Sequence, residues 1–290
     1  MPGTCAITGT TGNVGPCVAS RLANAGWEVR ALGRKPSAQK RPGFSDVHFE
    51  LGQPVAPQAL AGADALVHMA YDYSWTSWAD IERVNIEGTR RLLAAAQEAG
   101  VDRIVYMSSI AAFPGAPTLY GHAKLACEQS ALATGAAVVR SGRVWGQDGS
   151  TSLGILQSAA ERLPIVPLPV PRKFDLYFTH EDDLAALVEV LLDRWPAGSG
   201  KLYVAAAEDS VEFGELLRLL ALKVGKRPRF IELPWRQVRL GLKVLEAGGI
   251  KPPFGSDGIL VLATSDSQPL AHATDHTDRY GVSFRPYPLT

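Results

Sequence analysis

Thr8-Gly9-Thr10-Thr11-Gly12-Asn13-Val14-Gly15 follows the apolar run Cys5-Ala6-Ile7 and opens a helical pattern from Val14 to Ala25, with Val14, Val18, Leu22 and Ala25 on one side. A strand that turns through spaced glycines into a helix is the element by which α/β proteins hold a dinucleotide pyrophosphate. Gly9 allows the sharp bend, Gly12 lets backbone approach phosphate, and Gly15 lets the helix lie close to the sheet. The helix start then offers unpaired N–H groups, with Thr11, Asn13 and Val14 beside the anion.

Outward from this turn the chain alternates. Glu28 to Leu32 reads as a second strand after Gly26, Val47 to Leu51 as a third and Asp64 to Ala70 as a fourth. Asp80 to Gly100 reads as one long helix, Ile104 to Met107 as a strand closing at Ser108-Ser109, Tyr120 to Thr134 as a helix and Ala136 to Val139 as a strand. Such alternation predicts an α/β, Rossmann-like, doubly wound and mostly parallel sheet, with its ligand edge where the strands end. Beyond Gly146 the pattern predicts helices over residues 152–163, 181–192, 213–224 and 235–247, a proline-rich extended link over 164–171 and a strand over 202–205. Residues 1–150 are therefore read as the NAD(P)-binding unit. Residues 151–290 are read as a smaller, mainly substrate-binding C-terminal lobe, with some elements returning to the first.

Acidic and basic residues balance at 29 each, so no global field recruits nucleic acid or an anionic membrane. Cys5, Cys17 and Cys127 have neither disulfide nor metal-site spacing and read as reduced thiols. The start lacks a secretory pattern and no apolar stretch reaches a bilayer span, so the expectation is a cytoplasmic protein without a membrane partner. His272 and His276 with Asp275 and Asp278 lack a complete metal-site spacing, and no metal is expected.

The second strand ends Ala31-Leu32-Gly33-Arg34-Lys35, with no acid at its tip. A carboxylate there would receive ribose hydroxyls, whereas Arg34 can fork onto a 2′-phosphate, which favours NADP(H) and leaves NAD(H) open. Glu50 and Leu51 are placed to flank the adenine. Tyr120 and Lys124 stand one helical turn apart, so that an ammonium near the phenol would lower its pKa and make Tyr120 a proton donor or acceptor. Ser109 would hold the substrate oxygen.

These residues resemble the extended short-chain dehydrogenase/reductase family, which includes NAD(P)-dependent epimerases and dehydratases. Residues 8 through 15 match its glycine signature, Tyr120 and Lys124 its tyrosine and lysine, and Ser109 its strand-end serine. Asp64 through Ala70, Asn85-Ile86-Glu87-Gly88-Thr89, Val139 through Gly146 and Phe178 through Ala185 are further matching segments. The resemblance implies that Met69, Ala70 and Tyr71 line the cofactor, that Ser108 lies on its nicotinamide side and that Lys124 contacts its ribose. By the same resemblance Asn85 organises backbone or water, His180 and Asp183 support the architecture, and a homodimer forms through the helices at 80–100 and 120–134. Two departures count against sugar epimerisation: only ten residues separate Ser109 from Tyr120, and Arg143 stands where related sugar-modifying enzymes often carry a smaller polar residue.

Tyr71, Tyr73, Trp75, Trp78, Phe113 and Leu119 could wall an apolar or cyclic substrate or hold the lobes together, and Arg143 and Trp145 are further substrate-side candidates. His68 reads as a strand-end polar contact and His122 as part of the variable interior of the tyrosine motif. The expected activity is NADP-dependent interconversion of a carbonyl compound and its alcohol. The alternatives are a sugar or nucleotide-sugar epimerase and a non-catalytic NADP-responsive binding protein.

Overall fold

The computed structural model describes residues 3–36, 42–146, 164–170, 174–250, 255–264, 269–275 and 277–288. In it, alternating apolar side chains on β1 (Thr4–Thr8) point to opposite faces: Cys5 and Ile7 enter one core, Ala6 the other. The same division holds on β4 (Ala65–His68), β5 (Arg103–Ser109) and β6 (Ala137–Ser141), where Val67, Val105 and Val139 face one side and Leu66, Ile104 and Val138 the other. A sheet apolar on both faces must be covered twice, and it is. Helix α1 (Gly15–Asn24) covers the first face, while α3 (Glu87–Glu98) and α4 (Leu119–Ala133) cover the second.

With β2 (Glu28–Gly33), β3 (Phe44–His48) and β11 (Leu202–Ala205) the main sheet has seven strands in the order β11-β6-β5-β4-β1-β2-β3. Every pairing in it is parallel. The chain winds outward in both directions from β1 and β4, so the crevice opens at the ends of those strands. The second half of the chain returns to this unit: β11 pairs with β6, and α5 (Glu181–Asp193) buries Leu184, Leu187, Val188 and Leu191 in the core shared with α1. Asp183 is locked to Arg285 by bonds of 2.6 and 3.0 Å, holding the chain at Arg285 against α5.

A third core joins β7 (Arg143–Trp145), β8 (Ile165–Val170), β9 (Asp175–Leu176) and β10 (Phe178–His180) to β12 (Val211–Glu212), β13 (Arg229–Pro234), α6 (Phe213–Lys223), α7 (Trp235–Ala247) and α8 (Ser256–Thr264). Phe178, Leu216, Leu220 and Leu262 are buried there, each such side chain contributing about 1.5–3 kcal/mol. This is the smaller C-terminal lobe.

Three local expectations are corrected. The third strand is Phe44–His48 rather than 47–51, because its register is set by pairing with Val29–Gly33 and leaves Glu50 and Leu51 in the following turn. The proline-rich segment is not a link: β8 pairs in parallel with β13, and Pro167 and Pro169 occur on a strand with a free edge. The long helix expected from Asp80 is broken into α2 (Trp78–Ile81), a π-helical turn (Glu82–Ile86) and α3. The helix expected over 152–163 lies outside the described residues. Among the described residues no helix is long and apolar enough to cross a membrane.

Candidate active site

A cleft of about 1030 Å³ runs along the C-terminal ends of the parallel strands. Its first end is the glycine turn. Gly9 has φ +78° and its backbone lies so close to Met69 and Ala70 that a Cβ would stand 3.0 Å from the Ala70 nitrogen. A Cβ on Gly15 would stand 2.1 Å from the Gly9 carbonyl oxygen, so no larger residue fits between helix and turn. At Gly12 the sole near atom is that same oxygen, at 3.3 Å, and the remaining space is the cleft. Helix α1 has no side-chain cap, which leaves its first N–H groups facing the same space as Thr11, Asn13 and Val14. This cradle fits a dinucleotide pyrophosphate.

The wall beyond the turn is fastened by Thr8. Its Oγ accepts from the Met69 and Ala70 amides at 3.0 and 3.1 Å, so its own proton goes to His68 Nδ1 at 2.7 Å. His68 Nε2 then donates to Thr89 Oγ1 at 3.0 Å. Burial, aided by the Lys124 charge, pulls the His68 pKa down to about 3. It is a neutral strut from strand to helix rather than an acid or base. Asn85, on the π-helical turn, accepts from the Asp72 amide at 2.8 Å and donates to the Asp72 carbonyl at 3.1 Å. Met69, Ala70 and Tyr71 consequently line the cleft, as do Arg34, Glu50 and Leu51 beside the tip of β2. Arg34 projects there with a side chain 65 % exposed, loosely opposed by Asp72 at 3.9 Å.

At the other end Ser108, Ser109, Tyr120 and Lys124 face the same cleft. Thr118 caps α4 by accepting from the Gly121 amide at 3.1 Å, which sets Tyr120 on the first turn. Burial pushes the Tyr120 phenol well above its ordinary pKa, Tyr73 adds to this, and a hydrogen bond with Ser109 opposes it. The expected lowering by Lys124 is absent from this geometry. Lys124 Nζ instead donates to the Met107 carbonyl at 2.9 Å and lies 5.2 and 5.1 Å from the ring centres of Tyr71 and Tyr106. Desolvation draws the Lys124 pKa down to about 8. Ser108 Oγ is buried without a hydrogen-bond partner, on the face toward the cleft.

Residues 5–142 match the family model described as the NAD dependent epimerase/dehydratase family. The ceramide reductase of Caulobacter vibrioides is 32% identical over 240 residues, covering 80% of this chain and 74% of that protein. The chain belongs to the extended short-chain dehydrogenase/reductase family. It is accordingly an NAD(P)-dependent enzyme of the oxidoreductase or epimerase type. A Stigmatella aurantiaca enzyme, 4-hydroxy-2-methyl-3-oxo-4-farnesyl-3,4-dihydroquinoline-1-oxide ketoreductase, is 27% identical over 262 residues, covering 80% of this chain and 77% of that one. Among solved structures, a short-chain dehydrogenase/reductase superfamily protein from Agrobacterium tumefaciens with bound NAD superposes with a TM-score of 0.67 at 24% identity, covering 93% of this chain and 98% of that chain.

Within this member of the family, the substrate-side candidates separate. Tyr73, Phe113 and Arg143 line the cleft, the Tyr73 ring lying 5.7 Å from that of Tyr120 at 25°. Trp75 does not line it: its ring receives the Arg83 guanidinium at 5.4 Å. Trp78 meets His122 edge-on outside the cleft. Trp145 is also absent from the lining, packed against His180 at 4.4 Å and Tyr287 at 5.3 Å in the third core. Its place on β7 is fixed by pairing with β10, which turns it toward the C-terminal lobe. Asp275 is engaged by Lys201 at 2.8 Å and Arg279 at 3.0 Å, and His276 lies outside the described residues. Sequence reasoning missed Tyr106 beneath Lys124, Thr8 beneath the Met69 amide, and Tyr177, Leu262 and Pro269 along the cleft. Only Thr8 carried a signal, as the polar residue ending an apolar strand.

Proposed function

We propose that this protein is an NADP(H)-dependent reductase that interconverts a carbonyl compound and its alcohol, with Tyr120 as the acid/base. The observation that carries the reading is that Tyr120 and Ser109 line one continuous cleft with the glycine cradle. A nicotinamide dinucleotide bound there supplies or accepts the hydride. Gly12 and the start of α1 would hold its pyrophosphate, and Arg34, with no carboxylate at the tip of β2, would fork onto a 2′-phosphate.

A phenol held neutral by burial reaches the substrate as a proton donor, so Tyr120 and Ser109 together donate to a carbonyl oxygen and Tyr120 gives up its proton as the alcohol forms. Lys124, which faces the same cleft, would meet the cofactor ribose rather than the phenol. Tyr73, Phe113, Leu262 and Pro269 offer an apolar bed, which favours a carbonyl on a hydrophobic body over a sugar. The two curated relatives above, each covering 80% of this chain, are named as reductases, which supports net reduction over epimerisation.

The test is NADPH consumption across aromatic and aliphatic ketones, with Y120F and R34A. Y120F should lose about 10²–10⁴-fold in turnover with NADPH affinity retained, and R34A should erode the preference for NADPH over NADH. Full turnover in Y120F refutes the acid/base assignment, and an unchanged cofactor ratio in R34A refutes the phosphate fork.

A further inference from the structure

Arg140 is buried and paired, donating to Glu128 at 2.8 and 2.7 Å, while the half-buried Arg239, whose Nε also lacks a hydrogen bond, keeps Asp257 at 4.0 Å. Arg143, three residues beyond Arg140, departs from this. Its amide donates to the Tyr177 carbonyl at 2.7 Å and fixes its place on β7, and its side chain lines the cleft beside Ser141 and Tyr177. Yet its Nε is buried without a hydrogen-bond partner, and no carboxylate among the described residues makes an ion pair with it. Of the carboxylates lining the cleft, Asp72 is engaged by Ser74 and Arg34, and neither Glu50 nor Asp175 reaches Arg143.

A guanidinium keeps its charge at every accessible pH, so it cannot escape burial by losing a proton. Desolvation draws its pKa down, and no partner is present to oppose the effect. Its planar fork of donors matches an oxyanion with two oxygens, and because its Nε is already closed to water and unpaired, that edge of the guanidinium meets such a group with little further loss of hydration. We infer that Arg143 receives an anionic oxygen fork on the substrate, so that the carbonyl compound carries a carboxylate or a phosphate that docks beside Ser141 and Tyr177. The inference rests on the reductase reading for the identity of the reacting group, and on Arg143 alone for the anion. Specificity then comes from an unpaired cation in the cleft wall that a neutral analogue leaves unsatisfied.

Calorimetry on the full chain loaded with NADP+ tests it with two matched pairs, hexanoate against hexanamide and hexyl phosphate against hexanol. One anion should bind at least about 10-fold more tightly than its neutral twin, the pair that responds identifying carboxylate or phosphate. R143M should bring that pair to parity, and R143K, which keeps the charge without the fork, should recover part of the difference. Parity of both pairs in the wild type overturns the inference, as does a preference that survives in R143M. Should R143M fail to bind NADPH, the wild-type pairs decide alone. NADPH consumption with 3-oxohexanoate and its methyl ester separates the two claims. An anion preference in binding without turnover of any carbonyl compound removes the reductase reading and keeps the anchor. Equal turnover of acid and ester with parity in binding does the reverse.

Discussion

Alanine at Gly15 and at Gly12 should fail in different ways, although both belong to one turn. At Gly15 the new methyl would stand 2.1 Å from the Gly9 carbonyl oxygen and 2.6 Å from the Thr10 Cα, both backbone atoms. Relief requires a shift of about 1 Å in a turn already held by Gly9 against Ala70, an overpacking that costs about 1–3 kcal/mol. At about 2–4 °C per kcal/mol, G15A should melt several degrees below the wild type. At Gly12 the methyl meets one atom, at 3.3 Å, and otherwise enters the cleft, so G12A should melt within about 1 °C of the wild type. Its methyl occupies the space that phosphate needs, and NADPH affinity should fall about 10–100-fold, equivalent to about 1.4–2.8 kcal/mol. Thermal unfolding of the apo protein and NADPH fluorescence titration separate these effects. Wild-type NADPH affinity in G12A would refute the placement of the phosphates, and an unperturbed melt in G15A would refute the close-packing argument.

Lys124 gives a pH signature. Its folded pKa of about 8 lies below the ordinary 10.5, so the unfolded chain binds the extra proton between those values. The resulting penalty, about 3 kcal/mol, is complete below pH 8 and relieved as pH rises toward 10.5, so wild-type stability relative to K124M should climb across that window in urea titrations. A pH-independent difference would contradict burial of the charge. Breaking the Arg140–Glu128 pair with R140M should cost about 3–5 kcal/mol by leaving a buried carboxylate alone, whereas the R140M/E128M pair should recover most of it. A double variant no more stable than the single one would show that the unpaired carboxylate is not the cause.

That the glycine turn and the strand-end residues share one cleft was readable because its determinants are local. The turn from Gly9 to Gly15 needs residues without side chains at fixed spacing, and Arg34, Glu50, Met69, Ser109 and Tyr120 each follow a strand end or open a helix. In a parallel sheet, strand ends converge on one crevice whatever fills the connections. The substrate half was less legible. Four aromatics close in sequence, Tyr71, Tyr73, Trp75 and Trp78, look alike as residue types, yet the Asn85 clamp on Asp72 separates the cleft-lining tyrosines from the tryptophans outside it.

By itself, then, the sequence determined the two-faced parallel sheet, the dinucleotide cradle and the group of Ser109, Tyr120 and Lys124, since each follows from periodicity or from spacing within one or two elements. Tertiary structure alone decided that Lys124 turns to Met107 and two rings rather than to the phenol, that Trp145 joins the C-terminal core, and that Arg143 faces the cleft unpaired. Those outcomes depend on which distant side chains meet and how much water they exclude. Burial and pairing are properties of contacts between segments, and no local pattern encodes them.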